Sequence, residues 1–386
     1  MTDIPPLNTP FAPPRSAPIE ACGGKIGSNP EHFIVEEIPA YELSGEGEHV
    51  FLWVEKKEIT TTEVAKRIAR MADMRARDIG YAGMKDRNAI TRQWFSLCTK
   101  EEIDTSWDLG EGAQILKVTR HKNKLRTGHL IANRFEITLI EVPPGGVQRA
   151  QFIEEYLNAH GLPNYFGPQR FGRNGSNLPD AFRWLEKQKA PDLVPPPTEA
   201  ASEADLEQPE APTSRKKRRR KGGRGDEARF ENKMMPSVLQ SEFFNRYTAA
   251  RIALQVELLT GEVVRLDQAG KHFVVEELAL ELPRKQSGDL HLTGPMIGPK
   301  TLLAQSDAHA LEQQIIKELQ MTESDLEILG KFAPGARRDL YLKPEALRIS
   351  ALGESELRIS FTLPSGAYAT QLVREFSGAA WAAPRG

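Results

Sequence analysis

From His49 to Glu55 the apolar residues Val50, Leu52 and Val54 alternate with Phe51 and Trp53, the period of a β-strand. The period then changes. Thr60 with Glu63 forms a capping-box signature, and Val64, Ile68 and Met71 fall on one helical face, which predicts a helix over 61–74. Further strands are predicted at Ile79 to Ala82, Gln93 to Cys98, Gln114 to Arg120 and Arg134 to Ile140. The last sets Phe135, Ile137 and Leu139 cleanly against Arg134, Glu136 and Thr138. Pro143 to Gly146 reads as a turn and Val147 to His160 as a helix stopped by Gly161. Near the other end, Leu347, Ile349 and Ala351, a turn at Gly353 to Ser355, and Leu357, Ile359, Phe361 and Leu363 read as a β-hairpin. A short helix from Tyr368 to Phe376 follows it.

Between these strand-rich ends the chain is predicted helical at about 237–259, 307–319 and 322–329, the first bounded by Ser237 and Gly261. Residues 187–233 carry Pro, Ala and Glu and then Lys, Arg and Gly, with few large apolar side chains. Such a segment cannot bury enough apolar area to offset chain entropy, so it is expected to be disordered. The Pro-rich residues 1–20 are expected to form a loose tail. Neither an internal repeat nor a Walker or Rossmann glycine pattern is present.

Composition adds little beyond limits. The 386 residues suffice for two domains. A net charge of -2 conceals an acidic stretch from Glu199 to Glu210 and an unbroken basic run from Arg215 to Lys221. That run can attract polyanions, serve as a solvated spacer or act as a nuclear-import signal, but it cannot position an atom for catalysis. Cys22 and Cys98 are the only cysteines and the eight histidines show no HxxxH pairing, so neither a zinc site nor a disulfide scaffold is expected. The N-terminus lacks the apolar stretch of a signal peptide and no window approaches a membrane span, so a soluble, reduced, cytoplasmic protein is expected. The Asn174 sequon then has no glycosylation meaning.

Three segments could carry chemistry. In Gly80 to Gln93, GYAGMKDRNAITRQ, Asp86 lies between Lys85 and Arg87. Nearby cations favour the ionised carboxylate, and Gly80 and Gly83 would let backbone approach a ligand. A surface ion pair or a turn residue accounts for the same pattern. In Asn164 to Gly172, NYFGPQRFG, the residues Asn164, Tyr165 and Arg170 suit stacking on a nucleotide and holding phosphate, but a rigid turn with core aromatics fits equally. In RHKNKLR, Arg120, Lys122, Lys124 and Arg126 would share one side of an extended segment. They could follow a phosphate backbone or form a solvated edge.

GYAGMKDRNAITRQ, the Asn133 and Phe135 pair in ANRFEI, LPNYFGPQRFG at Leu162 to Gly172, and FTLPSGAYATQLVRE at Phe361 to Glu375 resemble the ordered motifs of the TruD family of tRNA pseudouridine synthases. The opening segment NPEHFIVEEI at Asn29 to Ile38 is similar to that family's entry motif. This resemblance implies an α/β (α+β) pseudouridine synthase fold around a mixed, mostly antiparallel sheet, assembled from 21–161 and 338–386. A helix-rich insert domain would occupy 162–337. It implies isomerisation of uridine to pseudouridine at position 13 of the tRNA D-arm, with no metal and no cofactor. Asp86 falls on the family's catalytic aspartate, with Lys85 beside it. Phe33, Asn133 and Phe361 fall on positions that contact the target nucleotide, and Phe135 on the position whose ring stacks on the base.

Packing alone explains Phe135 and Phe361 about as well, since both lie on apolar strand faces. The sequence departs from the family pattern at His32, where an acid is usual and a solvent-facing position is expected. It departs again at Gly27, where a basic residue is usual and Lys25 lies two residues earlier. The cation partner of Asp86 therefore stays open. tRNA is the expected partner of a monomer with no membrane contact and no obligate protein partner. A noncatalytic RNA-binding protein on the same scaffold is one rival. An Asp-nucleophile phosphohydrolase is another, although such enzymes need a second carboxylate two residues on and position 88 is Asn.

Overall fold

The structure, a computed structural model, describes residues 9–189 and 223–378. In chain order its elements begin with β1 (Lys25–Ile26), β2 (Phe33–Pro39), β3 (His49–Lys57), α1 (Thr61–Met71), β4 (Gly80–Tyr81), β5 (Ile90–Cys98), β6 (Ala113–His121), β7 (Leu130–Ile140) and α2 (Gly146–His160). There follow β8 (Leu162–Pro163), α3 (Asn177–Lys189), α4 (Gly223–Ala253), β9 (Val263–Leu266), β10 (His272–Val274), α5 (Leu278–Gln286) and β11 (Leu290–Met296). The chain closes with α6 (Ser306–Glu318), α7 (Glu323–Phe332), β12 (Ala336–Asp339), β13 (Tyr341–Leu342), β14 (Glu345–Ala351), β15 (Leu357–Pro364) and α8 (Ala369–Ser377).

Two compact units result. The first joins residues 17–161 to 343–378 and holds a nine-stranded sheet in the order β14-β15-β7-β2-β5-β3-β6, with β1 on β7 and β4 on β5. Only β2 with β5 is parallel; the other pairs are antiparallel, so the sheet is mixed and mostly antiparallel as expected. Alternation sets its faces. Val50, Leu52 and Val54 of β3 pack with Phe95, Leu97 and Ile115 against Val64, Ala65, Ile68 and Ala69 of α1. Each Val, Leu, Ile or Phe among them contributes about 1.5–3 kcal/mol on full burial. On the opposite face Arg92 bridges Glu36 and Glu55, and Arg134 reaches Glu36, a half-exposed charged ladder.

Thr60 caps α1 by accepting from Glu63 N at 3.1 Å, but α1 ends at Met71, three residues short of the expected length. Gly161 closes α2 with φ 80°, as its glycine suggests. The predicted hairpin is β14 with β15 and the predicted last helix is α8.

The second unit contains residues 9–16, 162–189 and 223–342. It has a four-stranded sheet, β10-β9-β11-β12, and a small pairing of β13 with β8, among helices α3 to α7. Several expectations fail here. Residues 338–342, expected with the catalytic sheet, pair instead with β11 and β8. The helix expected to start at Ser237 starts at Gly223, runs through Pro236 and ends at Ala253. Residues 223–233, expected to be disordered, are therefore helical. Asn232 of this segment accepts from Trp184 Nε1 at 2.8 Å, so docking on α3 supplies the stability that local composition lacks. The basic run from Arg215 to Lys221 lies outside the described residues.

Gly261 does not stop α4. A Cβ there would stand 2.0 Å from Gln305 O, so the glycine serves close backbone contact. Residues 9–20 are held rather than loose. Phe11 N donates to the Glu242 carboxylate at 3.0 and 3.1 Å, and Ala17 N donates to Glu375 at 3.1 Å.

Candidate active site

Asp86 sits in the loop between β4 and β5, and this loop is fastened at four points. Gln93 Nε2 donates to Gly83 O at 2.9 Å, while Gln93 Oε1 accepts from Thr61 Oγ1 at 2.9 Å. The same Thr61 hydroxyl accepts from Lys85 N at 3.0 Å. Lys56 Nζ donates to the carbonyl of Asp86 itself at 2.5 Å, and Arg87 Nε to Glu58 O at 3.1 Å. Thr61, Gln93 and Lys56 are buried, so the bonds on Gly83, Lys85 and Asp86 are shielded from competing water. The loop is thus a fixed element resting on β3, β5 and the first turn of α1.

The Asp86 residue remains exposed at the surface of this loop, yet protein surrounds its base closely enough to matter. Lost hydration pushes its carboxyl above the ordinary carboxylate range, opposed by the charges of Lys56 and then Lys85. The expected pull of a flanking cation toward the ionised form is present from Lys85, but it does not prevail. Desolvation dominates, because both neighbouring side chains are spent elsewhere. Arg87 serves the Glu58 carbonyl, and Lys85 Nζ lies 3.2 Å from Glu37 Oε2.

Glu37 is the third residue of the inward-facing series Phe33, Val35 and Glu37 on β2. Burial raises its carboxyl above the usual range, with Lys85 pulling it back. In register Glu37 stands opposite Asn133 of β7, and Asn133 stands opposite Leu363 of β15. Phe135, two residues along, is opposite Val35 and Phe361. The rings of Phe33 and Phe135 lie with centroids 6.5 Å apart, and those of Phe135 and Phe361 5.1 Å apart at 19°. Phe33 and Phe361 are buried, whereas Phe135 is half-buried. Asn133 Oδ1 is buried without a hydrogen-bond partner among the described residues. One sheet face therefore carries Phe33, Asn133, Phe135, Phe361 and the Glu37–Lys85 pair that flanks Asp86.

The remaining sequence-derived residues lie on other elements. Asn164, Tyr165 and Arg170 belong to the second unit. There Asn164 Nδ2 donates to Asp339 O at 2.9 Å and its Oδ1 accepts from Arg338 at 2.6 Å. Tyr165 is buried, and Arg170 and Arg338 lie over the Phe166 ring. The Asn245 side chain holds Phe166 through N at 2.8 Å and O at 3.1 Å. This is the rigid turn with core aromatics.

Nor does RHKNKLR form a row. β6 ends at His121 and the chain turns, so spacing of two no longer means one side. Arg120 donates to Gly47 O, Thr99 O and Glu101 O, Lys122 pairs with Glu46 and Lys124 reaches Arg77 O, while Arg126 is exposed. Gly80 likewise serves packing: a Cβ would stand 2.2 Å from Leu125 O. Lys25 is bound to Glu141 at 2.6 Å on the surface. His32, expected to face solvent, is half-buried with its ring where a side chain at position 27 would extend.

Sequence reasoning missed Lys56, Thr61, Gln93 and Glu37 as loop supports. A signal existed for Lys56, which continues the buried alternation of Val50, Leu52 and Val54. Among the described residues no group of three or more His, Cys, Asp or Glu could hold a metal ion, and no helix is long and apolar enough to cross a membrane.

Comparison with known proteins follows the same residues. The family model for tRNA pseudouridine synthase D (TruD) matches residues 16–178 and 232–376. The tRNA pseudouridine synthase D of Syntrophotalea carbinolica is 33% identical over 93% of this chain and 97% of its own. That of Thermus thermophilus is 35% identical over 92% and 89%. A crystal structure assigned as tRNA pseudouridine synthase D (TruD) from Methanosarcina mazei superposes with a TM-score of 0.69 over 97% of both chains. At 21% identity it speaks for the fold. Matched through the Asp86 loop, the β7 strand and the hairpin alike, this chain belongs to the tRNA pseudouridine synthase D (TruD) family.

Proposed function

We propose that this protein converts uridine to pseudouridine at position 13 of the tRNA D-arm, with Asp86 as the catalytic carboxylate. The observation that carries the reading is the Asp86 loop. It offers one exposed carboxylate on a backbone fastened from Gly83 to Arg87, joined through Lys85 and Glu37 to the sheet face of Asn133 and Phe135. Conversion of uridine to pseudouridine is the chemistry general to the family.

The reaction breaks the bond from N1 to C1′ and forms one from C5 to C1′. C5 gives up its hydrogen and N1 gains one, so atoms balance and nothing is oxidised. An ionised Asp86 can bond to C1′ as the base departs, or take the C2′ hydrogen so that a glycal carries the sugar. Both routes need the carboxylate, not the acid. The uridine must leave its stack, at about a few kcal/mol, before any side chain can reach it. The half-buried Phe135 ring offers an apolar surface to the extruded base, and the unpartnered Asn133 oxygen offers an acceptor to its N–H edge.

The deciding assay incubates purified protein with unmodified tRNA transcript and no added metal, then maps pseudouridine by chemical modification. Product at position 13 is expected. Asp86→Asn is expected to fold and bind tRNA yet form no product. Turnover retained in that variant would place the reacting carboxylate elsewhere.

A further inference from the structure

Lys56 is the last buried position on the inward face of β3, with a relative exposure of 1%. A lysine side chain loses both hydration and rotamer freedom when buried, so such residues are rare without a specific partner. Here the ammonium lies 2.5 Å from the carbonyl oxygen of Asp86, a charge-assisted bond to the residue whose carboxylate is proposed to react. Lys85, the neighbour in sequence, is differently committed: its ammonium faces the buried Glu37 carboxylate, and the two charges largely cancel at a distance.

We propose that Lys56 is the positioning residue of this active site, the cation that fixes the Asp86 loop and keeps the Asp86 carboxylate ionised when RNA covers it. The inference rests on Asp86 being the catalytic carboxylate. It differs from the sequence-adjacent reading, in which Lys85 has that role.

The physical case turns on what substrate binding does. In the free protein Asp86 has lost part of its hydration to the surrounding protein but keeps an exposed surface that water still reaches. An extruded uracil displaces that water and lowers the local dielectric, which favours the neutral acid at the moment the anion is required. A buried charge is fixed in place and screened little by salt, so its influence on Asp86 grows as water leaves. The Lys85–Glu37 pair presents little net charge and gains little from the same change. The bond from Lys56 to the backbone carbonyl adds geometry, because it holds the Asp86 Cα and leaves the side chain free to face the ribose.

The test measures single-turnover pseudouridine formation against pH, together with tRNA affinity, for wild type, Lys56→Met and Lys56→Gln. Lys56→Met is expected to move the acid limb of the profile to higher pH by about one unit. That shift appears as roughly tenfold slower product formation on the acid side and a smaller deficit on the alkaline side, with tRNA affinity within about twofold. A merely structural role would slow the reaction equally across pH.

Lys56→Gln keeps a donor for the Asp86 carbonyl without the charge and is expected to show the same displaced limb. It carries the test if Lys56→Met fails to fold. An acid limb at the wild-type pH in a folded variant overturns the proposal. Asp86→Asn separates the two layers. Turnover in that variant overturns the functional reading itself, whereas an inactive Asp86→Asn beside an unshifted Lys56 variant overturns only the assignment of Lys56.

Discussion

Lys85 Nζ lies 3.2 Å from Glu37 Oε2, with the lysine side chain 6% exposed and the carboxylate side chain wholly buried. Removing one partner of such a pair strands the other charge in a dry site, at about 3–5 kcal/mol, whereas removing both costs far less. Lys85→Met should therefore destabilise the protein by roughly that amount in urea melts. Adding Glu37→Gln, which still offers an acceptor to Trp94 N, should restore a large part of the loss. A double variant as unstable as the single one would show that Lys85 matters for packing rather than charge.

The pH dependence of that pair has a definite sign. Burial raises Glu37 above its unfolded value, so its contribution to stability is fully present below the ordinary glutamate range. It is lost as pH rises through the raised value. Without Lys85 the carboxyl climbs further. The deficit of Lys85→Met relative to wild type should shrink toward acid and widen toward neutral pH, read as melting temperature across a pH series. A constant deficit would mean that Glu37 does not titrate in this window.

Asp86 predicts a kinetic counterpart. Desolvation holds its carboxyl above the ordinary aspartate range, against Lys56 and Lys85, and the reaction needs the ionised form. The wild-type rate of the chemical step should rise with pH along a limb that lies above the usual aspartate value. A rate already flat down to the ordinary range would mean that the carboxylate is hydrated well enough to keep its ordinary value.

Much of this was legible in the chain and some was not, for identifiable reasons. Alternation at Phe135, Ile137 and Leu139 gave β7 because these apolar side chains share one face of the strand, opposite Arg134, Glu136 and Thr138. The cation partner of Asp86 stayed open in the sequence because adjacent side chains diverge. Lys85 and Arg87 point to partners far along the chain, and the lysine that reaches the loop comes from position 56. The aromatic loop at 164–172 left a nucleotide cradle and a rigid turn equally open because composition cannot tell a ring that faces a ligand from one that packs under Arg338. Helical residues 223–233 were hidden for the converse reason: their order comes from contact with α3, which no local pattern records.

The basic run that leaves β6 yields a prediction in which neighbouring arginines behave oppositely. Arg120 is spent on three backbone carbonyls, so Arg120→Ala should cost about 1–3 kcal/mol of stability with little change in how tRNA affinity depends on salt. Arg126 is exposed, and Arg126→Ala should leave the melting temperature unchanged. If it meets a phosphate, that substitution lowers the slope of log affinity against log salt by about one. An unchanged slope would remove Arg126 from the RNA-contacting set.

Asn133 offers the sharpest separation of stability from function. Its side-chain oxygen is buried and makes no hydrogen bond among the described residues, although the residue stands in register between Glu37 and Leu363. A polar atom kept dry without a partner costs about 1–3 kcal/mol, so a side chain that lacks it should fold at least as well. Asn133→Leu is therefore expected to match or exceed the wild-type melting temperature. If the oxygen waits for the N–H edge of an extruded uracil, the same variant should form pseudouridine more than about tenfold more slowly, since a site built for a hydrogen bond discriminates by that much or more. A fully active Asn133→Leu would release this residue from the site, and a destabilised one would mean that its amide is satisfied in solution by water.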